Sequence, residues 1–214
     1  RELSLEVIKL AYNSGSNSYK IKYRDPENAA AFIDKEYGSG DMKHQILVSV
    51  LKEILPLRYD DFDLEKDAGL IFTIYADPKP AKDEQEFISD QSREREGARW
   101  VSEYLNKNGI KCHPWFSTPG YRPGLTAEEG REKQKLWEKV KEKTQDDFIA
   151  DKINLLATTK GFGMGIDKPN IRYIVHYGFP GSLEEYFQQI GRAGRDREHS
   201  HCILLWDAPM ARCS

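Results

Sequence analysis

Ile153-Asn154-Leu155-Leu156-Ala157 runs directly into Thr158-Thr159-Lys160-Gly161-Phe162-Gly163-Met164-Gly165-Ile166-Asp167-Lys168-Pro169. The first five residues have the length and apolar character of a buried strand. Gly161, Gly163 and Gly165 then make a backbone-rich loop at that strand's C-terminal end. In open α/β sheets ligands bind at such ends. Free amides in a loop of this kind take phosphate oxygens, and Asp167 is placed to accept from a ribose hydroxyl. The plain alternative is a tight connection with an exposed aspartate.

A second stretch decides between the two. Gln188-Gln189-Ile190-Gly191-Arg192-Ala193-Gly194-Arg195-Asp196 follows the amphipathic run Leu183-Glu184-Glu185-Tyr186-Phe187. Each of its two arginines stands directly after a small residue in a glycine-punctuated turn, with Gly191 before Arg192 and Gly194 before Arg195. A guanidinium is always charged and presents a planar fork of donors that matches phosphate oxygens. Glycine lets the backbone turn sharply at that point. A helix ending this way offers two guanidinium groups to one polyphosphate. Alone it reads as a glycine-rich turn with solvated arginines; beside the glycine loop it reads as half of a nucleotide site.

Together the two stretches resemble motifs V and VI of superfamily-two helicases, and most closely those of the RecQ family. The resemblance rests on Phe162 to Pro169, Arg172-Tyr173-Ile174-Val175-His176-Tyr177, Pro180, Ser182, Glu185-Tyr186, Gln188 and Gly191 to Asp196. It is strong over residues 153–207 and weaker back to residue 1. DEAD-box RNA helicases carry different phrases at both motifs. The resemblance implies the second RecA-like lobe of an ATP-dependent DNA helicase working 3′ to 5′. Arg195 is then the arginine finger and Arg192 its phosphate-contacting neighbour. ATP contacts fall to Gln188, Gly165, Asp167, Arg192 and Arg195, and DNA contacts to Thr159 and Lys168, although Lys168 reads more readily as a solvated lysine. The implied partners are single-stranded DNA, or DNA with a single-stranded tail, and an upstream RecA-like lobe of the same polypeptide. That lobe is expected to hold most of the ATP and Mg²⁺.

The rest of the chain supports an α/β reading without that resemblance. Strand-like runs at Gly69–Tyr75, 111–116, 152–158, 171–177 and 201–206 alternate with helical patterns at 43–55, 93–108, 126–143 and 182–190. Such alternation builds parallel βαβ units, hence a parallel sheet with helices on both faces. Two alternating runs, Leu3–Leu10 and Tyr19–Arg24, flank turn residues and predict a small N-terminal β-hairpin over residues 1–25. Pro26 to Tyr37 reads as a short helix. Residues 76–92, charged and punctuated by Pro78 and Pro80, read as an exposed insertion in one domain of 1–214.

Composition bounds the function. Hydrophobic residues make up 39% and charged residues 31% of the 214, enough apolar material for a full core. No run approaches a membrane span and no apolar leader stands at the start, so no membrane partner is expected and an intracellular setting, cytoplasmic (nucleoid) or nuclear, is. A first residue of Arg1 rather than methionine suits a piece of a longer protein. Cys112, Cys202 and Cys213 are too scattered for a disulfide framework or zinc site. The net charge of −3 argues against indiscriminate coating of nucleic acid, although residues 160–197 carry six basic against four acidic side chains.

No Gly-x-x-x-x-Gly-Lys-Ser/Thr phrase occurs, so the chain has no P-loop of its own and is expected to be inactive as an ATPase by itself. Three departures from the family pattern stand out. Thr73-Ile74-Tyr75-Ala76 replaces a Cys-x-Ser-Arg phrase, Trp115 to Gly120 replaces Tyr-His-Ala-Gly-Leu, and Arg197 replaces a glycine. The first two put the usual grip on the DNA backbone in question. His176, Trp115 and Phe116 read as core, and Cys112 with His113 lacks metal-ligand spacing. Two other readings remain: an RNA helicase or duplex-translocase lobe, and a non-catalytic RecA-like scaffold docking partners through 76–92 and 126–143.

Overall fold

The computed structural model describes residues 3–13, 18–24, 32–37, 42–76, 97–117, 126–162 and 166–207. Eight strands form one sheet: β1 Leu3–Asn13, β2 Ser18–Arg24, β3 Phe32–Tyr37, β4 Ala68–Phe72, β5 His113–Trp115, β6 Leu155–Thr158, β7 Ile171–His176 and β8 Ser200–Asp207. Their order is β3-β2-β1-β8-β7-β4-β6-β5. From β1 to β5 every pairing is parallel; β2 and β3 add antiparallel strands at one edge.

Helices cover both faces, as a sheet of two-sided apolar strands requires. Along β4, Ile71 points to one layer and Leu70 and Phe72 to the other, and all three are buried. The first layer meets α1 (Met42–Ser49), a π-helical turn Val50–Ile54 and α2 (Leu55–Arg58), then α3 (Ala98–Lys107). The expected face Ile46, Leu47, Val50, Leu51 and Ile54 is buried there. The second layer meets α5 (Leu183–Ile190) and the end of α4 (Ala127–Ile149), which contributes Phe148. Farther up α4, Trp137 packs into the first layer and donates to the Phe116 carbonyl at 3.0 Å. Gly69 lets the Tyr173 ring lie across β4; a β-carbon there would come within 2.1 Å of it.

Local signals account for the element ends. Thr126 caps α4 with a reciprocal box to Glu129, and Gly109 closes α3 at φ +76°. Helix α4 extends past the expected Lys143 because Phe148 anchors its last turn in the core.

One expectation changes. Phe32–Tyr37 is a strand, not part of a helix: its alternating Ile33, Lys35 and Tyr37 register against Tyr23, Ile21 and Tyr19 of β2. The pairing edge of β2 overrides a weak local preference. The N-terminal hairpin is joined to the main sheet, since β1 pairs with β8 from Leu3–Ser200 to Leu10–Asp207. Most of the 76–92 segment lies outside the described residues.

Candidate nucleotide clamp and strand-end surface

Parallel strands can be joined only by a chain that crosses back over the sheet. Residues 159–170 do this between β6 and β7, so their two ends sit at opposite edges. Thr159 and Lys160 leave the C-terminal end of β6, where the Thr158 carbonyl accepts from the Thr73 amide at 2.7 Å. Asp167 and Pro169 arrive at the N-terminal end of β7. The sequence reading placed the loop and Asp167 together at the C-terminal edge; among the described residues Thr159 and Lys160 lie at that edge and Asp167 at the other.

The arginine turn meets that N-terminal edge. Helix α5 starts at Ser182, whose Oγ accepts from the Glu185 amide at 3.1 Å, and stops at Gly191. The Gly194 amide donates to the Ile171 carbonyl at 3.0 Å, tying the turn to the first residue of β7. Gly194 has φ +59°, and a β-carbon there would stand 2.8 Å from the Glu198 carbonyl oxygen. No other residue fits without moving backbone. Arg197, in place of the family's glycine, adopts φ +76°, a conformation that glycine takes more readily.

Arg195 reaches out of this turn to the end of the crossing segment. Its Nη1 donates to Asp167 Oδ1 at 2.7 Å and to the Ile166 carbonyl at 3.1 Å. The Asp167 side chain is 83% exposed, so the pair lies at the surface and is open to competition. Arg192 is half-buried beside it. Burial, and then the positive charge of Arg195, lower its pKa from the ordinary guanidinium value. Two such groups side by side favour a polyanion.

Arg172 and Asp196, which sequence reasoning left without a role, fix the geometry of the turn. They form a two-bonded fork between β7 and the residue after Arg195. Both stood inside the quoted motifs, but nothing in their spacing shows that β7 begins beside the arginine turn.

The remaining site residues divide. Gln188 is exposed on α5, with Nε2 3.5 Å from Glu184 Oε1. Gly165 lies outside the described residues. Thr159 is nearly buried, and its carbonyl accepts from the Phe162 amide at 3.0 Å. Lys168 is a correction: it is neither solvated nor presented to DNA. Its side chain is 1% exposed, pairs with Asp151 Oδ1 at 2.5 Å and lies 5.0 Å from the centre of the Phe148 ring. Asn170 donates to the same oxygen, and the hydrogen bonds from Lys168 and then Asn170 hold the Asp151 carboxyl below its usual range. Asp151 adopts φ +55°, which its short polar side chain tolerates.

At the C-terminal edge a cleft of about 190 Å³ opens between β4, β7 and the start of α5. Trp115, Phe116 and His176 are buried, as expected of core residues. Burial pushes His176 down to about 4.

Residues 128–197 match the family model of the helicase conserved C-terminal domain, from the first turn of α4 to the arginine turn. The chain is similar to the ATP-dependent helicase SGS1 of Saccharomyces cerevisiae, 38% identical over 106 residues (50% of this chain, 6% of the relative). It is similar to the ATP-dependent DNA helicase RecQ of Bacillus subtilis, 43% identical over 77 residues (36% and 13%). A putative ATP-dependent RNA helicase, R290 of Acanthamoeba polyphaga mimivirus, is 49% identical over 67 residues (31% and 12%). The chain thus spans a small part of each of these relatives. Over residues 128–197 the chain is similar to the conserved C-terminal domain of helicases, and the relatives it resembles include the DNA helicase RecQ.

Proposed function

We propose that this lobe is half of an ATP-driven DNA motor: Arg195 and Arg192 face ATP at one edge of the sheet while single-stranded DNA runs over the other. The observation that carries the reading is the Arg195–Asp167 pair at the end of a segment whose start, Thr159, belongs to the opposite edge. An arriving triphosphate would compete with the Asp167 carboxylate for the Arg195 guanidinium. Asp167, released, would be free to accept from the ribose. A shift of residues 166–167 would act on the connection that begins at Thr159, which offers a physical route between hydrolysis and DNA movement.

An upstream RecA-like lobe of the same polypeptide would bring the P-loop and most of the Mg²⁺ ligands, and 3′ to 5′ tracking follows from the RecQ likeness. Gln188, exposed on α5, would face that lobe. Thr159 would contact the DNA backbone, whereas Lys168 is withdrawn from that role. The RNA-helicase name of the mimivirus relative favours a second reading with RNA as the track.

The test is steady-state ATP hydrolysis by the full-length protein, without nucleic acid and with single-stranded DNA or RNA, beside the 214-residue lobe alone. DNA-stimulated turnover by the full-length protein and none by the lobe is the expected pattern. Stimulation by RNA only would transfer the motor to RNA. Turnover by the lobe alone would overturn the two-lobe account.

A further inference from the structure

The cleft at the C-terminal edge has features that gripping a phosphate backbone does not require. Ile74 and Phe179 form its lips and are 50% and 49% exposed. Ile74 belongs to the phrase that replaces the family's Cys-x-Ser-Arg, in which Tyr75 and Ala76 take the places of the polar Ser and Arg. Behind the lips the Phe72 and His176 rings lie nearly parallel, 5.5 Å apart at 19°. The floor is polar. His176 is 0% and Gln189 4% exposed. Gln189 donates its Nε2 to Glu185 Oε1 at 3.0 Å, which leaves Oε1 turned the other way. The Gln189 amide and the Ile203 backbone both approach the His176 ring and offset part of its shift. Yet neither ring nitrogen nor Gln189 Oε1 makes a hydrogen bond of normal geometry among the described residues. Lys160 lies at the rim.

Size narrows the occupant. At about 190 Å³ the cleft is well below the roughly 300–1,000 Å³ of pockets that enclose a drug-sized ligand. It has room for one planar ring system and not for a nucleotide. Chemistry narrows it further. An aliphatic side chain of a partner protein would satisfy the lips and leave the floor unpaired, which is unfavourable for buried polar groups. A nucleobase has an apolar face for Phe179 and Ile74 and an edge bearing donors and acceptors together for Gln189 and neutral His176. Its own phosphate would fall toward Lys160.

We infer that the cleft bounded by Ile74, Phe179, His176 and Gln189 receives one unstacked base of the bound strand. This rests on the nucleic-acid motor reading and adds a base contact to a lobe whose usual backbone grip is replaced. Single-strand binding proteins use the same pairing of basic rim and aromatic face.

The experiment measures binding of the full-length protein to three fluorescent strands of equal length: oligo-dA, oligo-dT and a backbone of tetrahydrofuran abasic units. Ile74→Trp fills the cleft from its exposed lip, and Phe179→Ala removes the stacking face. Both variants should weaken binding to the base-bearing strands by about 5- to 150-fold, the span for one stacked base, and leave abasic affinity unchanged. Equal loss on all three strands, or no loss on any, overturns the base pocket while the motor reading stands. Failure of the unaltered protein to bind any strand would sink the motor reading, and the pocket with it.

Discussion

Arg172 and Asp196 face each other through two bonds, Nη1 to Oδ1 at 3.0 Å and Nη2 to Oδ2 at 2.5 Å. One residue is the second of β7 and the other follows Arg195, so the fork fixes the arginine turn to the sheet. Both side chains are 24% exposed, and the hydrogen bond from Arg172 holds the Asp196 carboxyl below its usual range. Fork geometry fixes orientation as well as distance, which a single lysine contact does not. Arg172→Lys should therefore lower stability by no more than about 1 kcal/mol, the scale of a partly exposed pair. In the full-length protein it should nonetheless reduce ATP turnover by roughly tenfold or more, through displacement of the neighbouring Arg195. Chemical denaturation and turnover measured together check this; a variant impaired in stability but with normal turnover would leave the fork a purely structural device.

Lys168 gives a prediction of the opposite kind. Because it is buried on Phe148 and paired with Asp151, Lys168→Ala should lower stability by about 2 kcal/mol. That figure sits below the usual loss for a broken buried pair because the Asp151 side chain is 57% exposed and can be solvated. The salt dependence of DNA binding should be unchanged, since no phosphate contact is lost. A shallower salt slope in the variant would return Lys168 to the DNA surface.

Burial of neutral His176 makes stability depend on pH. Its folded pKa, about 4, lies below the ordinary value of 6.5, so the unfolded chain binds the proton first. Its contribution is fully present above pH 6.5 and is lost as the pH falls from there toward 4. The loss is about 3 kcal/mol, at about 1.4 kcal/mol per pH unit. Asp151 and Asp196, held low by their partners, add their own losses only in more acid solution. Urea midpoints between pH 7 and 4 should fall for the unaltered lobe and stay nearly level for His176→Gln. Parallel curves for the two would assign the acid sensitivity elsewhere.

The sheet and its helices were legible because each central strand is buried on both sides and each helix keeps its own period. Leu70-Ile71-Phe72 and Leu155-Leu156-Ala157 announce two-sided burial in sequence, and Thr126 with Glu129 announces a helix start. Phe32–Tyr37 was misread because its structure depends on the open edge of β2, a tertiary fact. Of the candidate site residues, Arg195 and Asp167 meet at one edge, with Arg192 beside Arg195. The site's spatial division was not legible, because a linear phrase does not show that 159–170 crosses the sheet. Lys168 was misassigned for the same reason, its partner Asp151 lying at the far end of α4.

In the proposed motor Arg195 acts on the transferring phosphoryl group and is held by Asp167 until nucleotide arrives. The most direct test is Arg195→Ala in the full-length protein, with DNA-stimulated turnover and nucleotide dissociation constant measured on the same preparation. A finger that meets charge developing in the transition state changes turnover and hardly changes ground-state affinity. Turnover should fall by about 10³-fold, the lower end of the range for arginine fingers, with nucleotide affinity within a few-fold of normal and no rescue by Arg195→Lys. Near-normal DNA-stimulated turnover in Arg195→Ala would contradict the account and leave this arginine a surface partner of Asp167 alone.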